Sequence, residues 1–472
     1  MSKRITRRTF VQSIGYAGLS LPLISPKLVR GASPNDKITI AFVATSGKGG
    51  VHVEAFKTLA CTCYADVDTE NWKSAAKNWP DAKPYQNYRQ MYEKHHREFD
   101  AVAIATPDHN HFHAALYAMQ LGKHVYCEKP LTHDVWEARM LTEAAKKYKV
   151  QTQMCNQGHS KEGWRLFIEW VKAGSIGEVK EVHSWTNRPI WPQGLPRPTG
   201  STPVPANLDW ETWIGPAPFR PYFNEEVVGK NGKKKSGHGT YHQFSWRGRV
   251  DFGAGALGDM ACHTMDGIQW LMEPGHPSAV EVLKTEGDAP DGDSYPQKAV
   301  IRWEFPATTA HGPWTHTWYD GGFMPERPSE LPADRKMPIS GNLVVGSKGK
   351  IFITGDYGDS PRIIPQEEMD RFLGQFPDHK VPQLIPRVQE IPGIGVDLHH
   401  SDFINAIRTG KPAGSNFAYA GPFTEVVQLG NVALRAGKRI EWDGVNMKAK
   451  NVTGIDHLIR REYRKGWEVT SI

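Results

Sequence analysis

Short apolar runs alternate with helix-like segments through the first third of the chain. The apolar runs are rich in β-branched residues and lie at residues 37–45, 60–67, 101–106, 124–127 and 150–154. Continuous runs of this kind are typical of strands buried on both faces of a parallel sheet. Helical periodicity fills the intervals, at residues 51–59, 72–78, 88–94, 112–121 and 135–149. The alternation predicts βαβ units and an α/β first domain over residues 35–155.

The pattern changes beyond residue 177. Strand-like runs at residues 179–186, 299–305, 341–345 and 350–354 are separated by Pro/Gly-rich stretches, and helical periodicity returns at residues 259–271, 398–408 and 424–436. This predicts an α+β second domain, residues 156–440, on a mostly antiparallel sheet, with a C-terminal tail, 441–472, packing on the domains. Loops as long as 187–245 and 306–340 usually shape a site or an interface. An exposed sheet face would favour self-association, so a homo-oligomer is one expectation.

Composition narrows the class of protein. A chain of 472 residues with 39% hydrophobic and 23% charged residues is globular and long enough for two domains. The net charge of +6 is small and scattered, which argues against a nucleic-acid partner. The five cysteines follow no disulfide framework and are interpreted as buried apolar residues. Sixteen tryptophans and fifteen tyrosines are many, and aromatic rings supply flat apolar walls for sugars.

The first 32 residues have the pattern of an export signal. Arg7 and Arg8 lie in the run T-R-R-T-F-V, and a weakly apolar stretch follows at residues 14–24. Paired arginines before a short apolar segment are typical of a twin-arginine (Tat) signal, and the segment is too short to span a bilayer. A basic tail that happens to precede apolar residues is the alternative. We therefore expect a periplasmic or otherwise exported protein without membrane insertion.

A glycine-containing turn follows the first strand. It reads A-T-S-G-K-G-G from Ala44, where the dinucleotide-binding fingerprint has G-x-G-x-x-G. Ala44 and Ser46 stand at the first two glycine positions and Gly49 at the third, so a simple tight turn fits these residues equally well. Asp66 ends the second strand, where a carboxylate would bind the adenosine ribose hydroxyls and repel a 2′-phosphate. That would favour NAD over NADP; a solvated strand-end aspartate is the alternative.

Two further polar clusters follow neighbouring strands. One reads A-T-P-D-H-N-H from Ala105 and the other C-E-K-P-L from Cys127. Open α/β sheets bind their ligands at the carboxyl ends of the strands. Alternating histidines could suggest a metal site, but no cysteine or carboxylate set completes a coordination sphere, so no metal is expected. The candidate cofactor-binding residues are Ser46, Gly47, Lys48, Gly49, Asp66, Thr106, Pro107, His109, His111, Glu128 and Lys129.

A third signal lies in the second domain. Asp259 and His263 are four residues apart on a predicted helix, so both side chains project from one face. The aspartate could bind substrate hydroxyls while the imidazole takes a proton, as alcohol oxidation requires. A helix-start aspartate beside an ordinary buried histidine is the alternative.

Taken together, the A-T-P-D-H-N-H cluster, the E-K-P segment and the Asp/His pair resemble the Gfo/Idh/MocA family of NAD(P)-dependent sugar dehydrogenases, from whose glycine fingerprint Ala44 and Ser46 depart. The resemblance runs from Ile38 to Trp467, and the segments N-Q-G-H and W-R-G bring it closest to the Tat-exported branch. It implies that residues 35–155 form an NAD-binding Rossmann domain and that Lys129, Asp259 and His263 surround the reacting sugar carbinol. Candidates for contacts to sugar hydroxyls are Asn156, His159, His242 and Arg247.

The resemblance implies hydride transfer between a sugar carbinol and nicotinamide. Two alternatives stay open. Some family relatives use tightly held NAD to oxidise a sugar transiently, cleave a glycosidic bond by elimination and return the hydride. A non-catalytic sugar-binding or regulatory protein on the same fold is the alternative of another class.

Overall fold

The computed structural model describes residues 37–224, 240–242 and 244–472, so the expected export signal lies outside the described residues. The first domain is built on a six-stranded sheet in which every strand pairs in parallel with its neighbours. Its strands are β1 (Ile40–Val43), β2 (Cys63–Ala65), β3 (Lys83–Tyr85), β4 (Ala101–Ile104), β5 (His124–Cys127) and β6 (Thr152–Met154). The order β3-β2-β1-β4-β5-β6 is that of a doubly wound dinucleotide-binding fold, which confirms the predicted fold class.

Helices cover both faces of this sheet. They are α1 (Lys48–Ala55), α2 (Lys73–Asn78), α3 (Tyr88–His95), α4 (Asp108–Gln120) and α5 (Val135–Tyr148). The chain forms α4 four residues earlier than its periodicity predicts, since residues 108–111 already belong to its first turn. Helix α5 has a clear start, because the side chain of Asp134 accepts a hydrogen bond from the backbone N–H of Glu137.

The second domain contains a nine-stranded sheet. Its strands are β7 (Val179–Trp185), β8 (Ala279–Glu286), β9 (Lys298–Phe305), β10 (Trp314–Tyr319), β11 (Gly341–Gly346), β12 (Lys350–Thr354), β13 (Ser360–Ile364), β14 (Ile440–Asp443) and β15 (Lys448–Ala449). The order is β13-β12-β11-β7-β10-β9-β8-β14-β15. All neighbours are antiparallel except β7 and β10, which confirms the mostly antiparallel sheet.

Two boundary predictions for this domain are wrong. The stretch 306–340 is not one long loop, because β10 lies within it and pairs with both β7 and β9. The sheet also continues past residue 440, since β14 pairs with β8 and β15 extends the edge. Strands β10 and β14 are short and flanked by turn residues. Their conformation depends on pairing with β7 and β8, which are distant in sequence.

The remaining helices are α6 (Glu162–Lys172), α7 (Trp210–Ile214), α8 (Gly255–Thr264), α9 (Asp266–Met272), α10 (Gln366–Leu373), α11 (Leu398–Thr409), α12 (Phe417–Ala436) and α13 (Asp456–Ile459). The predicted helix 259–271 is therefore two helices, α8 and α9, that meet at Met265. Among the described residues, none of the helices is both long and apolar enough to cross a membrane.

Two of these helices return to the first domain. Phe403 and Ile404 of α11 share a buried cluster with Phe42 of β1 and Tyr126 of β5. Helix α12 lies directly on α5, where a Cβ at Gly421 would come within 1.8 Å of the Thr142 hydroxyl oxygen. The division at residue 155 therefore holds for the sheets but not for their covering helices, because periodicity identifies an apolar face without saying which sheet buries it.

Candidate cofactor and active site

A cavity of about 670 Å³ opens at the carboxyl ends of β1, β2, β4 and β5 and is closed by segments of the second domain. Twelve of the residues expected at the site line it: Ser46, Gly47, Lys48, Asp66, Thr106, Pro107, Glu128, Lys129, His242, Arg247, Asp259 and His263. A cavity at this edge of the sheet is where the topology of a doubly wound fold places a ligand.

The glycine turn has the geometry of a phosphate-binding loop. Ala44, at the first glycine position, adopts a positive φ of 72°, and Gly47, which precedes the first residue of α1, has a φ of 55°. Gly49 lies under the turn rather than on the cavity wall, and a Cβ there would come within 2.3 Å of the Ala44 carbonyl oxygen. Strand, turn and helix are thus as closely packed as a dinucleotide needs, with the α1 N-terminus facing the cavity. These residues fit NAD.

Asp66 is tied into the turn as well as lining the cavity. Its Oδ2 accepts a hydrogen bond from the Thr45 N–H at 2.9 Å, and its Oδ1 accepts from the Asp68 N–H at 3.0 Å and from Asn71 Nδ2 at 3.1 Å. Burial raises the pKa of this carboxyl, and these hydrogen bonds oppose the rise. His242 lines the same cavity, with Nε2 3.8 Å from Asp68 Oδ2.

Replacing Asp66 by Asn should relax the choice between NAD and NADP. The amide oxygen can still accept from the Asp68 N–H and from Asn71, and only the hydrogen bond from the Thr45 N–H is lost. The charge that repels a 2′-phosphate is gone, so the ratio of the two dissociation constants should shift toward NADP by about tenfold or more. Titration of both nucleotides measures it. An unaltered preference would show that Asp66 does not face the 2′ position.

Lys129 and Asp259 meet across the two domains. Lys129 Nζ donates to Asp259 Oδ1 at 2.8 Å and to the Asp259 backbone oxygen at 2.7 Å, and Arg247 Nε lies 3.2 Å from the same Oδ1. Burial by itself would raise the pKa of Asp259, but Lys129 and Arg247 outweigh it and hold that pKa below its usual range. Burial likewise opposes the charge on Lys129, yet Asp259 and Glu128 raise its pKa. The pair is therefore ionic.

His263 stands one helical turn after Asp259 on α8. Its Nδ1 is buried without a hydrogen-bond partner in the described part of the chain, and its ring meets Tyr357 edge-on at 4.8 Å. Burial and the neighbouring Lys129 charge lower the pKa of His263 well below its ordinary value. The imidazole is therefore neutral near pH 7 and free to accept a proton.

Aromatic rings form much of the remaining wall. Four of them come from the segment between β7 and α8, which includes α7, and one from the β12–β13 connection: Trp191, Trp213, Phe244, Trp246 and Tyr357. The Arg247 guanidinium lies 4.3 Å from the Trp246 ring centroid, a cation–π contact that fixes a positive charge beside this wall. Composition suggested flat surfaces for sugar rings, but residue counts do not tell which tryptophans face the cavity.

Two expected cofactor contacts lie away from the cavity. His109 packs between Trp213 and Phe252, and its ring nitrogens lie 3.1 Å from the Phe252 and 2.9 Å from the Trp213 carbonyl oxygens. His111 bridges the Pro130 and Thr106 carbonyl oxygens, each at 2.8 Å. Both rings face protein, whereas Asp108 and Asn110 of the same helical turn line the cavity. The two histidines hold the E-K-P turn and the second domain in place rather than touching the cofactor.

Asn156 and His159 also lie outside the cavity wall. Asn156 Nδ2 and His159 Nδ1 both contact Asp266 Oδ1, at 2.9 and 3.0 Å, and the His159 ring stacks on Trp270. Asp266 is fully buried and begins α9 directly behind the active-site helix. The structure gives these two residues a positioning role in place of the expected sugar contacts.

Asp108 is a cavity residue that the sequence did not single out. It follows Pro107, and its Oδ2 accepts a hydrogen bond from the Ala254 N–H at 3.0 Å. Burial raises the pKa of Asp108 to about 7, while Arg247 and Lys129 pull it down. The only sequence signal is its place in the strand-end cluster.

The buried Asp108 predicts a pH-dependent stability. An unfolded chain releases this proton near pH 4 and the folded chain only near pH 7, so the wild type loses stability as pH rises between those values. The free energy of unfolding of Asp108→Asn, relative to that of wild type, should therefore increase by roughly 2–4 kcal/mol as the pH rises from about 5 to about 8. Urea unfolding of the nucleotide-free protein at both pH values measures it. The same change at exposed Asp334 has no burial penalty to relieve, so an equal pH-dependent gain there would refute the explanation.

The fold and the site define a class of two-domain proteins in which the first domain is an NAD-binding Rossmann domain. Comparison with known families agrees: residues 38–155 match the NAD-binding Rossmann domain of the Gfo/Idh/MocA oxidoreductases, and residues 183–305 match their C-terminal α/β domain. The chain belongs to the Gfo/Idh/MocA oxidoreductase family.

Individual relatives are distant. An uncharacterised oxidoreductase of Synechocystis is 25% identical over 263 residues, 55% of this chain and 57% of that protein. A glycosyl hydrolase family 109 protein of Solibacter usitatus is 26% identical over 197 residues, 37% of this chain and 44% of that protein. The matches thus span about half the length of these relatives. The Bordetella pertussis WlbA dehydrogenase, solved with NADH and UDP-GlcNAcA, shares the fold with a TM-score of 0.56 at 15% identity, over 86% of this chain and 99% of that one.

Proposed function

We propose that this protein transfers hydride between a carbinol of a sugar or sugar derivative and NAD. The observation that carries the proposal is the meeting of Lys129, Asp259 and His263 in one cavity, beside the turn that fits NAD. The aromatic wall and Arg247 give the same cavity flat apolar surfaces and a hydrogen-bond donor, which is how proteins bind sugar rings. The WlbA dehydrogenase, whose fold this chain shares, was solved with a sugar nucleotide.

The protein side chains divide the acid–base work. Bound NAD supplies the hydride acceptor at its nicotinamide ring. His263, held neutral by burial and by the Lys129 charge, accepts the hydroxyl proton. Lys129 remains a cation and stabilises the negative charge that develops on the carbinol oxygen. Asp259 holds Lys129 in position and, with Arg247, orients the sugar.

A sugar panel tests this proposal. The purified protein is supplied with NAD and monosaccharides, glycosides and sugar nucleotides, and NADH formation is followed by absorbance. Turnover of at least one member is the expected result. A protein that binds NAD and sugars yet turns over nothing on a broad panel would instead be the non-catalytic binder.

A second candidate is glycoside cleavage through transient oxidation. It is favoured by the similarity to the glycosyl hydrolase family 109 protein of Solibacter usitatus. In this case the hydride returns to the sugar, so no NADH accumulates while the glycosidic bond breaks. Native purification followed by denaturation and nucleotide analysis separates the two candidates. Stoichiometric NAD together with aglycone release favours cleavage, and an empty protein with NADH accumulation favours the dehydrogenase.

We also propose that the protein is exported through the twin-arginine signal at its N-terminus, because Arg7 and Arg8 precede a short apolar stretch. Replacing both arginines by lysine keeps the charge but removes the recognised pair, so the protein should stay in the cytoplasm. Fractionation followed by immunoblotting measures this. Undiminished periplasmic accumulation of the double variant would remove the export assignment.

A further inference from the structure

A line of four buried or partly buried side chains connects the cavity with the protein surface. Glu128 lines the cavity, and its Oε1 lies 3.0 Å from His52 Nε2 on α1. The other nitrogen of that ring, Nδ1, lies 3.1 Å from His400 Nε2 on α11. His400 Nδ1 in turn lies 3.0 Å from Asp397 Oδ1. We call these four residues the histidine chain.

The two ends of the histidine chain differ in exposure. The imidazoles of His52 and His400 are both 3% exposed, and the carboxyl of Glu128 is 7% exposed. The Asp397 side chain is 33% exposed, so water reaches it. A proton on Asp397 can therefore exchange with solvent, whereas one on Glu128 exchanges only with groups in the cavity or through the chain.

A count of hydrogens shows that the histidine chain can carry one extra proton. Its three contacts need three bridging hydrogens, and two neutral imidazoles bring two. Burial would raise the pKa of both carboxyls, but His52, Lys48 and Lys129 hold the Glu128 pKa below its usual range, and hydrogen bonding to His400 holds that of Asp397 at about 2. The carboxyls therefore bring no hydrogen, and the third is an extra proton that the chain can take up at one end and release at the other.

We propose that the histidine chain is a proton relay between the cavity and solvent; its use rests on the proposed sugar oxidation. That reaction leaves the hydroxyl proton on a buried base, and the proton must depart before the next turnover. Glu128 takes a proton from the cavity and passes one to His52, His52 gives one to His400, His400 gives one to Asp397, and Asp397 releases one to water. Each transfer breaks one N–H or O–H bond and forms another, so one proton moves outward and no electrons are exchanged.

Burial lowers the pKa of His52 and the hydrogen bond to Glu128 opposes the fall, so an extra proton on this ring is transient, as a relay requires. Tyr126 and Cys155 lie against the two imidazoles, while Lys48 and His399 act on them through their charge. The Cys155 sulfur lies within 4.8 Å of the donor atoms of His52 and Glu128, an arrangement that could also suit a metal ion. Burial raises the pKa of this thiol far above its ordinary value, so the sulfur keeps its proton, and metal binding needs the thiolate.

The test uses two variants outside the cavity wall. Asp397→Asn keeps the cap of α11, since Asn and Asp cap helices equally well, but removes the terminal proton acceptor. His400→Gln breaks the middle of the chain. The matched control is His399→Gln, because the neighbouring buried His399 binds the Met154 carbonyl and the Ser160 hydroxyl and takes no part in the chain.

The first experiment follows a single turnover of the NAD-loaded protein with a sugar that the protein oxidises. A pH-indicator dye reports proton release, and absorbance reports NADH formation. We expect both to rise together in wild type and in His399→Gln. In Asp397→Asn and His400→Gln, proton release should be slower than NADH formation by about 10²-fold, the lower end of the loss when a positioned proton-transfer group is removed. Concurrent release in both variants would overturn the relay.

A second measurement does not depend on a substrate. In protein labelled with ¹⁵N-histidine, a scalar coupling across the hydrogen bond between His52 Nδ1 and His400 Nε2 should be seen, and it should vanish in His400→Gln but persist in His399→Gln. Its absence from wild type would overturn the relay. If no sugar is oxidised, the proposed function fails, while this coupling still decides whether the hydrogen bond between His52 and His400 in the histidine chain exists.

Discussion

Replacing Lys129 by Met, or His263 by Gln, should lower the rate of hydride transfer by about 10²–10⁴, the usual loss when a positioned acid–base group is removed. Lys129→Met removes the cation beside the carbinol oxygen, and His263→Gln fills the same space without a group that can take a proton. Both kcat and kcat/KM should fall, because these interactions act mainly in the transition state. The assay is NADH formation with the sugar that the wild type oxidises best.

Two comparisons separate catalysis from folding in these variants. Nucleotide binding should persist, because Arg247 stays 3.2 Å from Asp259 and keeps that carboxylate paired after Lys129 is lost. Lys123→Met is the matched control, since Lys123 is partly buried and donates to the Phe99 carbonyl far from the cavity. If the two residues serve one proton-transfer step, the double variant should be little worse than the slower single one. Wild-type turnover in both single variants would refute the assigned site.

Gly49→Ala should abolish measurable NAD binding. The new Cβ would lie 2.3 Å from the Ala44 carbonyl oxygen and 2.6 Å from its carbonyl carbon, both backbone atoms that cannot swing aside. The turn must open, which costs roughly 1–3 kcal/mol of stability and moves the amides that face the phosphates. Calorimetric titration with NAD and thermal unfolding measure the two effects.

The adjacent glycine provides the control for that substitution. A Cβ at Gly50 meets its nearest atom, the Thr45 carbonyl oxygen, at 3.4 Å. Gly50→Ala lies within α1, where alanine is favoured over glycine by roughly 0.5–1 kcal/mol, so it should bind NAD normally and unfold at the same or a higher temperature. Equal NAD affinity in the two variants would show that close packing at Gly49 does not matter for the cofactor.

Local patterns determined the type of each sheet, the class of protein and part of the site. Continuous β-branched runs with helices between them define a parallel sheet, and parallel strands bring their carboxyl ends to one edge. Residues that follow those strands, such as Lys129 and Asp66, had to lie near that edge. Helical spacing likewise placed Asp259 and His263 on one face of α8.

The histidines show where local patterns stop being sufficient. His109 and His111 belong to the right cluster, but their rings face protein, while Asp108 and Asn110 of the same helical turn line the cavity. His159 follows the right strand, but its ring stacks on Trp270 behind the site. Sequence position gives the neighbourhood of a side chain, whereas its direction depends on packing partners distant along the chain.

By itself the sequence determined a dinucleotide-binding sheet, a second antiparallel sheet and many of the residues that line the cavity, because each depends on periodicity or on a motif a few residues long. Only the tertiary structure decided that α11 and α12 return to the first domain, that tryptophans from the second domain close the cavity, and that His52 meets His400 from 348 residues away. Such contacts arise when apolar faces and buried polar groups find partners, and the free energy of that pairing depends on the whole packed core rather than on any local segment.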